Sequence, residues 1–150
     1  MLPETRCFGL KRILLKIAGI GIGKNVRICS SVTIVGDGEL FIGDNTWIGP
    51  QCFISSSACI TIGQNVDIGP QVSLVTGSHK INKHDVRVAG DGYNMDISVG
   101  EGSWICTRSL ILGGSIIGKR TIVAAGAVTK GFYNDDKMLC GCLAHEQDYK

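Results

Sequence analysis

Aromatic side chains are scarce in this chain: four phenylalanines, three tyrosines and two tryptophans in 150 residues. So few rings exclude a broad aromatic core and suit one too narrow to hold them. Charge imbalance is lacking as well. Fifteen lysines and arginines stand against thirteen aspartates and glutamates, and the basic residues are scattered, so the net charge of +2 calls for no nucleic-acid or other polyanionic partner. Paired metal-ligand spacing is missing too. The seven cysteines (Cys7, Cys29, Cys52, Cys59, Cys106, Cys140 and Cys142) are odd in number and irregularly placed, which reads as a reduced, cytoplasmic protein with no metal expected. A secretory leader is not expected either, because Lys16 interrupts the first apolar run and no small-residue cleavage site comes after it.

What the chain has is a six-residue phrase, an aliphatic residue followed by glycine or a small residue. The aliphatic positions are Ile22, Ile28 and Ile34, then Ile42, Ile48 and Ile54, then Ile62, Ile68 and Leu74, then Val99, Ile105 and Ile111, then Ile117 and Val123. A small or β-branched residue recurs four places later, as at Thr46, Cys52, Val66, Ser103 and Thr121. Helices need apolar residues every three or four positions and half-buried strands need alternation. A sustained period of six fits neither, and instead suits three short strands joined by bends, stacked as parallel coils. The predicted class is therefore all-β, a parallel β-helix whose aliphatic columns fill a thin core.

The whole of 1–150 reads as a single domain with three parts. Residues 1–19 lack the phrase but place Leu10, Ile13, Leu14 and Ile17 at helical spacing, predicting an amphipathic helix that covers the open lower end. Through this helix any membrane association is at most peripheral. The β-helix occupies 20–130, with a loop insertion at 82–98 that carries His84, Asp85, Arg87, Asp91, Tyr93 and Asn94. Long polar loops on rigid scaffolds are where function concentrates. Residues 131–150 read as a tail covering the upper end.

Four segments, Ile68-Gly69-Pro70-Gln71-Val72, Thr76-Gly77-Ser78-His79, Gly102-Ser103-Trp104-Ile105 and Ala124-Ala125-Gly126-Ala127-Val128-Thr129-Lys130, together resemble the hexapeptide-repeat acyltransferases, closest to the maltose, galactoside and capsule or lipopolysaccharide O-acetyltransferases. The resemblance implies a left-handed coil, a homotrimer with sites at the subunit boundaries, acetyl-CoA as acyl donor, and a sugar or glycan precursor as acceptor. It implies His79 as general base, and Trp104, Thr107, Ala125, Thr129 and Lys130 as contacts of the cofactor. A neutral imidazole against a sugar hydroxyl suits the chemistry, since the hydroxyl is a poor nucleophile until its proton is taken. Asp85, Arg87 and Tyr93 are candidate acceptor contacts. The chain departs from the family pattern in three places. The segment ending at Lys130 is one residue short, Leu143 stands for proline in Gly141-Cys142-Leu143-Ala144, and the family's extra amino-terminal domain is absent.

Three other readings stand beside this one. The same base and donor serve N-acetylation of an amino sugar or nucleotide-sugar. A γ-type carbonic anhydrase would bind zinc through His79, His84 and His145. A non-enzymatic β-helix would be a binding module alone.

Overall fold

The computed structural model describes residues 2–142. One helix, α1 (Phe8–Ile17), precedes a parallel β-solenoid. Its first coil comprises β1 (Gly21–Ile22), β2 (Arg27–Ile28) and β3 (Thr33–Val35); its second, β4 (Leu40–Ile42), β5 (Trp47–Ile48) and β6 (Phe53–Ser55); its third, β7 (Ile60–Ile62), β8 (Asp67–Ile68) and β9 (Ser73–Val75). A hairpin of β10 (Gly77–Ile81) and β11 (Ala89–Asn94) then leaves the coil. The fourth coil comprises β12 (Ile97–Val99), β13 (Trp104–Ile105) and β14 (Leu110–Leu112); the fifth, β15 (Ile116–Ile117), β16 (Ile122–Val123) and β17 (Val128–Thr129); β18 (Phe132–Tyr133) and β19 (Met138–Leu139) open a sixth.

Equivalent strands pair in parallel to make three sheets, the arrangement of a left-handed β-helix. In the first sheet Ile22 stacks on Ile42, Ile62, Val99, Ile117 and Tyr133. The second stacks Ile28, Ile48, Ile68, Ile105, Val123 and Leu139. The third stacks Ile34, Ile54, Leu74, Ile111 and Thr129. The six-residue phrase therefore marks the inward column of each sheet, and Ile48, Ile54, Ile68 and Leu74 are fully buried.

The restricted positions follow from the narrow bore. Thr46 Oγ1 donates to the Gly63 carbonyl at 2.9 Å and Ser103 Oγ to the Gly118 carbonyl at 2.9 Å, so the small polar residues of one coil bond the backbone of the next. Among the described residues no buried side-chain polar atom lacks a partner. Glycine follows the aliphatic residue because the adjacent coil leaves no room: a Cβ on Gly100 would lie 2.5 Å from the carbonyl carbon of Gly118. At the next position but one, Asn25, Asn45 and Asn65 adopt left-handed backbone with φ of 55°, 59° and 55°, a conformation that asparagine tolerates. Their side-chain amides bond one another up the stack.

Two of the three corners never change length. Six residues separate the first inward column from the second and the second from the third in every coil, as from Ile22 to Ile28 and Ile28 to Ile34. All variation falls at the third corner: eight residues from Ile34 to Ile42 and from Ile54 to Ile62, twenty-five from Leu74 to Val99, six from Ile111 to Ile117 and four from Thr129 to Tyr133.

Two boundaries differ from those expected. The solenoid does not stop at 130 but continues in register to Leu139, because Thr129 and Tyr133 fill inward slots with non-aliphatic residues and the corner between them is short. The insertion is a hairpin that departs at Gly77 rather than near 82, and Ile97 and Ser98 are already back in the first sheet against Ile60 and Thr61. The family-like ending through Leu143 and Ala144, and His145, lie outside the described residues.

The helix lies over the first coil with its apolar stripe turned outward. Leu10, Ile13, Leu14 and Ile17 are exposed, and Lys11 is buried. At the positions flanking the second inward column each coil donates to the next, as Gly49 N does to Ile68 O and Trp47 N to Val66 O, while bonds such as Asn45 N to Lys24 O run the other way. The Val26 and Ile28 carbonyls of the first coil occupy the equivalent positions, and with no coil before them they turn to the helix. Lys11 Nζ donates to Ile28 O at 3.1 Å and Arg12 to Val26 O at 3.1 Å, the same two register positions. These two carbonyls are met by cationic side chains, which the polar face of the helix supplies and its apolar stripe cannot. Leu15 packs on the core cluster and Phe8 meets the Trp47 ring edge-on at 6.0 Å.

Candidate active site

The hairpin at the third corner places His79. In its antiparallel ladder Ser78 faces Tyr93 and His79 faces Gly92, and a bulge between His79 and Ile81 shifts the register. That shift brings the Gly90 carbonyl to 2.8 Å from His79 Nδ1. A carbonyl only accepts, so Nδ1 carries the proton in the neutral ring and Nε2 keeps its lone pair free. The imidazole is exposed, and with Lys80, Ile81 and Tyr93 it borders an open cleft.

Tyr93 is the shared wall of two depressions. On its other side Thr76, Gly77, Ser78, Leu112, Gly113 and Lys130 line a narrow notch of about 50 Å³. The notch climbs the third corner from the hairpin to the end of β17. Lys130 is held there by its own backbone: its N–H donates to the Tyr133 hydroxyl at 3.1 Å, which donates back to the Lys130 carbonyl at 3.2 Å. The Tyr93 phenol is pulled below its ordinary pKa, first by its hydrogen bond with Ser78 and then by the Lys130 ammonium. A spectrophotometric titration of the three tyrosines is therefore expected to show one phenolate forming early. Lys130→Met should return it toward the others, and an unmoved curve would remove Lys130 from the notch.

The remaining candidates lie elsewhere. Trp104 is exposed on the outer face of the second sheet, flanked in the ladder by Asp67 and Ile122. Thr107 and Ala125 are exposed at the corner between the second and third sheets, one above the other, and Gly126 N donates to the Thr107 carbonyl at 3.0 Å. One chain therefore holds His79, Tyr93 and Lys130 at one corner and Trp104, Thr107 and Ala125 on another side. Thr129 points inward: it is buried, and its hydroxyl lies 3.1 Å from Ser115 Oγ. It anchors the strand that carries Lys130 and does not face the notch. Asp85 and Arg87 are exposed at the hairpin tip, where Asp85 Oδ1 accepts from the Val86 N–H at 2.6 Å.

Ser78, Gly90 and Tyr133 were not singled out by sequence, although each fixes a candidate residue. Only the hairpin register reveals the first two, and only the short corner the third. Among the described residues no group of three or more histidines, cysteines or acids is placed to hold a metal ion. His79 and His84 are not gathered into one: His79 Nδ1 is bonded to Gly90, and the His84 N–H is bonded to Asn82.

No protein-family model matches the chain. The putative colanic acid biosynthesis acetyltransferase WcaF of Escherichia coli K12 is 33% identical over 115 residues, 77% of this chain and 61% of the relative. The galactoside O-acetyltransferase of the same strain is 30% identical over 111 residues, 74% of this chain and 44% of the relative. The chain thus spans about six tenths or less of the length of these curated relatives. A solved hexapeptide-repeat acetyltransferase of Vibrio cholerae, complexed with acetyl coenzyme A, superimposes with a TM-score of 0.68 at 25% identity, over 90% of this chain and 74% of that one. In sequence over three quarters of its length and in fold over nine tenths, this chain is similar to the hexapeptide-repeat acetyltransferases.

Proposed function

We propose that the protein transfers an acetyl group from acetyl-CoA to a hydroxyl of a sugar or glycan precursor. The observation that carries this reading is the His79 ring, held through Nδ1 by the Gly90 carbonyl so that Nε2 is free beside the cleft. Nε2 takes the proton of the acceptor hydroxyl as its oxygen bonds the acetyl carbonyl carbon. The C–S bond then breaks, and the imidazolium returns the proton to the departing sulfur. No covalent acyl-enzyme forms, so none of the seven cysteines is needed for chemistry. Cys52, the most deeply placed of them, has its thiol pushed up to about 11 by burial.

The notch fits the donor. It is narrow, Gly77 and Gly113 line it without side chains, and Lys130 in its wall is suited to the anionic phosphates of coenzyme A. Trp104, Thr107 and Ala125 lie too far round the prism to share that notch within one chain. The separation supports a homotrimer in which the third corner of one subunit faces the second sheet of its neighbour. The residues at the hairpin, Tyr93 with Asp85 and Arg87 beyond it, are then the acceptor side.

The test is release of free thiol from acetyl-CoA across mono- and disaccharides, amino sugars, nucleotide-sugars and serine. Release that depends on a hydroxyl sugar is the expected result. Release with amino sugars alone would replace O-transfer by N-transfer. Absence of acetyl-CoA binding would overturn the reading.

A further inference from the structure

We propose that the amino-terminal end of the solenoid docks on an anionic lipid surface through the outer face of α1. This inference rests on no part of the catalytic reading. Leu10, Ile13, Leu14 and Ile17 are 48%, 56%, 51% and 79% exposed, and at about 100° per residue they form one stripe. The stripe lies opposite the face bearing Phe8, Lys11 and Leu15. It cannot roll inward without loss of the Lys11 bonds to Pro3, Glu4 and Ile28 and the Arg12 bond to Val26. Beside it an apolar recess of about 220 Å³, lined by Leu2, Leu14, Leu15, Val32 and Ile34 among others, opens at the same end.

The charge around the stripe selects the partner. The sequence of α1 contains no acid; Lys16 is exposed on it and Arg6 just before it, while Lys24 and Arg27 are exposed on the first coil, Arg27 over the Trp47 ring. Two carboxylates at this end bond neutral donors, Glu4 accepting from Ser31 and Asp44 from the Lys24 N–H, and Asp37 and Glu39 stand at the first coil's third corner. An apolar stripe on a helix whose charged residues are all cationic matches the boundary between acyl chains and anionic headgroups. A second copy seated face to face would instead set Lys16 and Arg6 against their own equivalents with no carboxylate across. The helix lies on such a surface and does not cross it, since its ten residues span only about 15 Å of a bilayer core of about 30 Å.

Flotation of the full chain with vesicles of phosphatidylcholine, alone or mixed with phosphatidylglycerol, tests this. Binding is expected to the mixed vesicles and to weaken as salt is raised. The triple change Leu10→Gln, Ile13→Gln and Ile17→Gln should reduce it at least roughly tenfold with circular dichroism and oligomeric state unchanged. The pair Arg6→Glu and Lys16→Glu, which leaves the stripe intact, should reduce it by a similar factor, about tenfold or more. No flotation of wild type with the mixed vesicles overturns the proposal, as does equal flotation of both variants. A triple variant of lower oligomeric state than wild type also overturns it, by assigning the stripe to subunit contact.

Discussion

Changing His79 to Ala is expected to lower turnover by about 10²–10⁴-fold, the contribution of a positioned general base. The loss should fall on kcat, with acetyl-CoA affinity intact, because the proton moves only as the new bond forms. The imidazole is exposed and its one fixed partner is the Gly90 carbonyl, which water can satisfy in the variant. Stability and assembly should accordingly hold. Single-turnover rates and equilibrium binding of acetyl-CoA, measured on the same preparation, separate the two effects. A variant within a few-fold of wild type would remove His79 from the chemistry, and one that no longer binds the donor would make it a binding residue instead.

The second large effect is expected far from the hairpin, at Lys11. Lys11→Met keeps the aliphatic stem and deletes the ammonium, leaving the carbonyls of Pro3, Glu4 and Ile28 without that donor. The Phe8 ring, 5.0 Å from Nζ, loses its cation as well. Stranding a buried acceptor typically costs about 1–3 kcal/mol, so with two partly buried acceptors beside it the total should be roughly 2–4 kcal/mol. Urea unfolding at fixed protein concentration measures it. A change below about 0.5 kcal/mol would mean that water replaces the ammonium and that the helix is not held by it.

The aliphatic columns were legible because each inward slot at two invariant corners recurs every six residues from Ile22 to Val123. Register vanished where the slot changed chemistry: Thr129 satisfies its hydroxyl on Ser115, so a polar residue occupies an inward position without cost to the core. The helix was legible as a helix, but its orientation was not. A wheel shows that Leu10 and Ile17 share a side. It does not show that the Val26 and Ile28 carbonyls of the first coil lie beneath, where only polar side chains of the helix can meet them. His79 was legible through the segment Thr76-Gly77-Ser78-His79. Its tautomer depends on Gly90, eleven residues on, and that contact exists only through a bulge that residue types did not announce.

The one variable corner makes the solenoid modular in a specific way. Because the columns on either side stay in phase whether that corner holds four, six, eight or twenty-five residues, chain length is decoupled there from side-chain orientation. Closing a longer excursion costs only a slowly growing entropy, about 0.6 kcal/mol per doubling. The insert at that corner can therefore be lengthened or exchanged while every buried isoleucine keeps its place. Such a scaffold behaves as a socket, with a fixed frame and an interchangeable insert at the single corner from which the His79 hairpin leaves.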